Sequence, residues 1–385
     1  MDNSEEKLRQ EAIRLYLQNI SVSLISRELL RSRQWVHKWI AKYKNNPSTD
    51  WCKSESRAPK RIANVTPSDI EKTIVKARKD LVSRQYSQQG AISILYELDR
   101  IKVKAPSIST INRILKKHDL IGDNKRKKYI KTKEYPSHYC NVQQMDLIGP
   151  RYLTGGFKYY IYTIIDIENH FAGVYPIQDK SAKSIAPSIV DFWSVYQMPD
   201  YLQMDNELSF RGSNRYPRGL GLLMRVAISN EVTPLFIPVA EPWRNGVIEN
   251  FNNNVQKHLL SQPFISLEDL QLKAKEFTAF HNENHRYSSQ NNKTPNELLR
   301  EIKCFSRLEK TIDLSERPYV DEGQLVFIRF IRSDLTITIL NSTFKVQERL
   351  IYSYVEVIIQ IEKHLLIIKH RGVVYHYFEF IMPLS

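Results

Sequence analysis

Three cysteines among 385 residues, Cys52, Cys140 and Cys304, are too few and too scattered for a disulfide framework. No Cys-x-x-Cys pair exists, which excludes a cysteine zinc site and suits a reducing compartment. No run of about 18 consecutive apolar residues occurs, so no membrane span is expected. The opening "MDNSEEKLRQEA" is acidic and lacks the apolar centre of a secretory signal, which predicts a cytoplasmic protein.

What is present is positive charge, unevenly placed. The net charge is +14, and 30 of the 56 Lys and Arg residues lie before residue 136, with only 15 of the 42 acidic ones. The remaining residues balance to −1. A basic third beside a neutral remainder points to a polyanion, most simply nucleic acid. A hydrophobic content of 42% supports packed cores, and the length predicts two to four domains.

Residues 5–44 pattern as three helices. Leu8, Ala12, Leu15 and Tyr16 form one apolar stripe, "SVSLISRELL" is a short second helix, and Ser32 caps a third. In the third, Val36, Trp39, Ile40 and Tyr43 face inward and leave Arg33, Gln34, His37 and Lys38 outside. This is the layout of a helix-turn-helix domain, placed at 1–47. The pattern repeats over 60–123, opening at Thr66-Pro67 and ending in a helix that exposes Asn112, Arg113, Lys116 and Lys117. A basic linker, 124–137, follows, with Lys127 among the cations available to phosphates.

From Asn141 the periodicity becomes that of strands. "NVQQMDLIGP", ending at Gly-Pro, "FKYYIYTIIDIE" and "FAGVYPIQ" read as an antiparallel meander. A helix through Pro187, the strand "DYLQMD", the strand "VTPLFIPV" and two more helices complete an α/β region with a mixed sheet. From Arg317 short Val/Ile/Phe/Tyr runs separated by turns predict a small β-barrel over 317–385.

Three carboxylates stand out. Asp146 is embedded in the first strand between Met145 and Leu147, where a charge is costly without a partner. Asp205 ends a later strand. Glu249 lies on the helix "NGVIENFNNNVQKHLL", whose apolar stripe is Ile248, Phe251, Val255 and Leu259. Its other face carries Glu249, Asn252, Asn253, Gln256 and Lys257, one acid among amides. Three converging carboxylates need a cation, and oxygen-only ligands suit Mg²⁺ or Mn²⁺. Asp166 reads as a structural hydrogen-bonder. His170, His258 and His281 are scattered, and the loop holding Arg211, Arg215 and Arg218 is equally a DNA clamp or a solvated insertion.

"QQMDLIGP", "LQMDN" and "PWRNGVIENFN" resemble the three catalytic motifs of the DDE-type transposase and integrase family, and "HNENHRYSSQNNKTPNELL" resembles the segment that follows them. The resemblance covers residues 138–300. It implies a ribonuclease-H-like core between helix-turn-helix domains and a C-terminal barrel. It also implies a metal-binding catalytic triad of Asp146, Asp205 and Glu249 that holds two ions. The implied activity is that of a bacterial insertion-sequence transposase, which cleaves DNA at terminal inverted repeats and joins it to target DNA. The partners implied are double-stranded DNA, a second copy in a dimer or larger assembly, and accessory transposition proteins, in a prokaryotic, nucleoid-associated setting. Asn253 and Lys257 are the expected DNA contacts beside Glu249. The sequence departs from the family where Glu207 follows Asp205-Asn206, in the 43 residues between Asp205 and Glu249, and in lacking a zinc-binding front module. Two rivals are a domesticated, non-catalytic DNA-binding protein and a nuclease without strand transfer. The intact triad speaks against the first and the doubled helix-turn-helix pattern against the second.

Overall fold

The computed structural model describes residues 3–47, 50–54, 65–122, 134–212, 215, 217–302, 306–308 and 312–383. Lys127, Cys304 and most of the basic linker lie outside them. The chain divides into two compact units, Met1–Val65 and Thr66–Ser385.

The first unit holds α1 (Asn3–Leu17), α2 (Val22–Glu28) and α3 (Arg33–Asn45). Ser32 caps α3: its hydroxyl accepts from Trp35 N at 3.2 Å. Val36 and Ile40 pack on Ala12, Leu15 and Ile25. Trp39 is buried beneath the Arg9 guanidinium, 4.2 Å from its ring centroid. Arg33, Gln34, His37 and Lys38 are exposed, as their spacing predicts.

The second unit opens with α4 (Ser68–Ser83), α5 (Ala91–Arg100) and α6 (Ile108–Lys117) around Ile74, Ile94, Leu98 and Ile111. The first of these starts after Pro67, and no side-chain cap forms, so Thr66 is not the cap expected. Asn112, Arg113, Lys116 and Lys117 are exposed. The remaining elements are β1 (Val142–Tyr152), β2 (Lys158–Asp166), β3 (Ala172–Ile177), α7 (Ala182–Val195), β4 (Tyr201–Met204), α8 (Leu208–Arg211), α9 (Leu222–Ile228), β5 (Thr233–Phe236), α10 (Gly246–Asn254), α11 (Leu267–Asn284), α12 (Pro295–Leu299), β6 (Gln324–Phe330), β7 (Thr336–Ile339), β8 (Ser342–Lys345), β9 (Tyr354–Gln360), β10 (Leu365–His370) and β11 (Val373–Glu379).

β1, β2 and β3 form the expected antiparallel meander, and β4 and β5 join parallel to β1. The first strand does not stop at Gly-Pro. It continues to Tyr152 through an irregularity between Ile148 and Arg151. Gly149 makes this possible: its φ is 137°, and a Cβ there would lie 2.9 Å from Tyr160 Cδ1. α7 and α9 cover one face, packing Ile185, Ile189, Trp193 and Met224 on Met145, Ile164 and Met204. α10, a π-helical turn at Val255–Leu259 and α11 cover the other. Ile248, Phe251, Val255 and Leu259 are all buried there, the stripe read from the sequence.

Two expectations about domains change. The C-terminal strands do not close into a separate barrel. β6 pairs parallel with β5, and β9, β10 and β11 follow it, so one nine-stranded sheet runs β11-β10-β9-β6-β5-β4-β1-β2-β3. The outer edge of β5 carries open backbone donors and acceptors, and β6 satisfies them. Among the described residues only β7 and β8 stand apart, as a hairpin.

The α4–α6 segment is also no free module, because the turn after α4 is set into α11. Tyr86, 6% exposed, packs edge-on to Phe277 at 5.4 Å, and its carbonyl pairs with His285 Nε2 at 2.8 Å. Arg286 N donates to Gln88 Oε1 (2.7 Å), while its guanidinium lies 3.8 Å from the Tyr96 ring centroid.

Candidate active site

Gln-Met-Asp occurs twice, at 144–146 on β1 and at 203–205 ending β4. Gln144 and Gln203 are direct partners in the parallel register of the two strands. Side chains two apart share a face, so the Asp residues follow their glutamines onto one face at one level. The glutamines define that face. Gln144 Oε1 accepts from Ile248 N (3.0 Å), and Gln203 Nε2 donates to Asn245 Oδ1 (2.8 Å) and Arg244 O (3.1 Å). Both thus hold the start of α10, the helix that carries Glu249.

The second contact between helix and strand is Asn252. Its Nδ2 donates to Asp146 Oδ2 at 2.8 Å, and its Oδ1 accepts from the Thr163 hydroxyl at 2.8 Å. Asp146 Oδ1 accepts from Leu147 N. Asn252, read as one of the outward amides, is in fact buried, 5% exposed. Asn253, Gln256 and Lys257 are exposed as expected. A cleft of about 470 Å³ opens here, lined by Asp146, Gly149, Arg151, Glu249, Asn253 and Gln256.

Electrostatics identify the centre. Burial, and after it the charges of Asp205 and Glu249, push the Asp146 carboxyl up to about 6, against its hydrogen bonds from Leu147 and Asn252. Burial also raises Asp205, with Glu207 adding to the effect, although Glu207 N donates to Asp205 Oδ1 at 2.8 Å. Glu207 itself pairs with Lys180 at 2.7 Å.

The three side chains do not close into a cage. Asp205 is not among the residues lining the cleft, and no three His, Cys, Asp or Glu among the described residues stand close enough to hold a metal. The donor chemistry nevertheless fits a hard divalent cation: carboxylate oxygens only, with mutual repulsion raising the affinity of the most buried one for positive charge.

Other candidates fall outside this centre. Asp166 is fully buried at the end of β2, where its Oδ1 accepts from Glu168 N (2.8 Å) and Asn169 N (3.1 Å), a structural turn. His281 is buried between Asn282 Oδ1 (3.1 Å) and the Tyr287 hydroxyl (2.9 Å), and Asn282 pairs with both backbone groups of Ala172 on β3. That motif therefore fastens α11 to the sheet. Arg218 is tied to Ser342 Oγ (3.0 Å) and lies over Phe380. Thr163 and the two glutamines were missed in the sequence, and Asn252 was set on the wrong face. The doubled Gln-Met-Asp was the signal available for the glutamines, whereas nothing local marks Thr163.

A mixed sheet with one carboxylate inside a central strand and another just past the end of its parallel neighbour, flanked by helices on both faces, is the arrangement that the sequence resemblance implies. Residues 230–295 match the family model described as integrase core domain. Among solved structures it is similar to the HTLV-2 integrase catalytic core domain in complex with magnesium, 17% identical over 41% of this chain and 94% of that one, with a TM-score of 0.30. The BIV integrase catalytic core domain is 14% identical, covering 42% and 94%, with a TM-score of 0.32. A chain of the simian T-cell lymphotropic virus intasome is 10% identical, covering 76% and 93%, with a TM-score of 0.37. No curated protein matches the chain.

Proposed function

We propose that the chain is a DNA transposase that binds the terminal inverted repeats of its element and catalyses metal-dependent DNA cleavage and strand transfer. The observation that carries this reading is Asp146. It is a half-buried carboxylate on a central strand, raised by burial and then by two further acids, beside a cleft that also holds Glu249 and exposed amides. A surface without function has no reason to gather uncompensated negative charge.

Asp146, Asp205 and Glu249 would hold Mg²⁺ or Mn²⁺, one ion or two. Such ions, when bound, polarise the attacking and leaving oxygens of an in-line displacement at phosphorus. The chain's own residues do the rest. Asn252 keeps one oxygen of Asp146 fixed in direction, and the two glutamines keep α10 seated so that Glu249 stays opposite it. Asn253, Gln256 and Lys257 meet the DNA backbone at the rim without adding anions. Arg33, Gln34, His37 and Lys38 on α3, and Asn112, Arg113 and Lys116 on α6, read the element ends.

The test is joining of a DNA duplex carrying the element's terminal sequence to a plasmid, with Mg²⁺. The wild type should join its 3′-hydroxyls; Asp146→Asn should bind the duplex and join nothing. Binding that depends on Arg33 without any joining by the wild type would favour the non-catalytic DNA-binding alternative.

A further inference from the structure

Arg329 comes from β6, in the part of the chain expected to form a separate barrel, yet its side chain ends beside the Asp205 loop. It is 8% exposed. Nη2 donates to Asn206 Oδ1 at 2.8 Å, and Nη1 to Ile237 O at 3.2 Å and Ile328 O at 2.9 Å. Asn206 closes the figure, since its Nδ2 donates to the same Ile237 O at 2.7 Å. Ile237 N in turn donates to Met204 O, continuing the β4–β5 ladder past its end.

These contacts have unusual chemistry. No carboxylate pairs with Arg329 among its described contacts, and every acceptor is a neutral oxygen. Its Nε is buried without a partner. Burial, and then Arg211, lowers its guanidinium to about 10. A buried cation with no counter-charge is a poor way to stabilise a strand; an apolar residue of similar volume serves that purpose better. What only arginine supplies is a rigid fork that spans two acceptors fixed on different segments. The two here are the end of β5 and the residue next to Asp205.

Asp205 needs such support more than Asp146 does. Asp146 lies in the middle of β1, in register with Thr163 of β2, with Asn252 on its carboxylate. Asp205 lies one residue past the end of β4, and its carboxylate is oriented only by Glu207 N among the hydrogen bonds described.

We propose that Arg329 is a positioning residue: it locks the Asp205 loop through Asn206, so that the C-terminal strands complete the catalytic site instead of forming a detachable module. The link to catalysis rests on the reading of Asp205 as a metal ligand; the mechanical hold does not.

Two full-length variants test it. Arg329→Lys keeps the charge and loses the fork, and Asn206→Ala leaves Arg329 intact and removes its acceptor. The first readout is amide hydrogen exchange by mass spectrometry without metal or DNA. Residues 205–211 should exchange at least tenfold faster in both variants, with β1 and β2 unchanged. The second readout is strand transfer against Mn²⁺ concentration. The half-saturating concentration should rise at least tenfold, with DNA affinity unchanged. The double variant should be no worse than the poorer single one, because both break the same link. Unchanged exchange at 205–211 overturns the proposal, as does additive damage in the double variant. A wild type that joins no DNA at any Mn²⁺ concentration sinks the proposed activity, and the exchange readout then decides the hold of Arg329 by itself.

Discussion

The two halves of the nine-stranded sheet differ in what they bury. Around β1 and β2 the interior contains Gln143, Gln144, Thr163 and Asp166, all under 5% exposed. Beyond the β5–β6 junction, β6, β9 and β10 bury Leu325, Phe327, Val355, Val357, Ile359, Leu366 and Ile368, with Arg329 and Glu356 as the only buried charges on these strands. Coverings differ as well. Helices α10 and α11 cover one face of the first half, whereas the same cover over Leu235, Val326 and Ile328 is a strap containing Tyr135 and Tyr139. In the first half polar side chains that orient their neighbours are buried beside an apolar core, whereas the second half buries almost only apolar side chains. At the junction Phe236 stacks on Phe327, centroids 4.6 Å apart, so the halves share one core.

The largest effect should come from breaking the polar half. Asp146→Asn should abolish joining and Glu249→Gln should lower it at least about a hundredfold, the scale of losing a preorganised electrostatic contact. Thermal melting should be nearly unchanged in both, and Glu207→Gln, which breaks the ion pair with Lys180, should retain activity. If Glu207→Gln stops joining and Glu249→Gln does not, the triad is misassigned.

Breaking the apolar half should do the reverse. Phe327→Ala removes a fully buried ring at the junction and should cost about 3–5 kcal/mol in urea denaturation. Protein that remains folded should still bind divalent cations. A loss under about 1 kcal/mol would mean that the C-terminal strands are not part of the core.

Acid should separate the halves further. Burial lowers His285 and His170 to about 4, and lowers His281 well below its usual value. Below the unfolded value near 6.5 the unfolded chain takes up protons that these folded histidines refuse. Stability is therefore fully present above about pH 6.5 and falls as pH drops toward 4, by up to about 1.4 kcal/mol per pH unit for each histidine. Melting at pH 7 and pH 5 measures the slope. His285→Gln should flatten it, and an equal slope in that variant would remove His285 from the account.

The smallest effect should come from the rim. Lys257→Ala should weaken binding to DNA of any sequence and reduce the salt slope of binding by about 1, with stability unchanged. A sequence-selective loss would show instead that Lys257 reads bases.

Much of this was legible along the chain. Helix spans, the Ser32 cap, the meander and the buried stripe of α10 follow from local periodicity and capping, which act over a few residues. Asp146 announced itself as a charge inside an apolar strand. Asn252 was misplaced because helical spacing alone sets it beside Asn253 and Lys257, and only the position of Thr163 on β2 decides that it turns inward.

Sequence by itself determined the kinds of element, their order, the basic front and the three acids. Tertiary structure alone decided which edges met. Whether β6 closes on its own neighbours or continues past β5 depends on pairing between residues about ninety apart, and both choices use the same alternating pattern. The hold on Asn206 by Arg329, 123 residues away, leaves no trace in either local stretch. A hydrogen bond of this kind exists only when two separately folded segments arrive at one point, and the energy that brings them there is the non-directional burial of the strands around them.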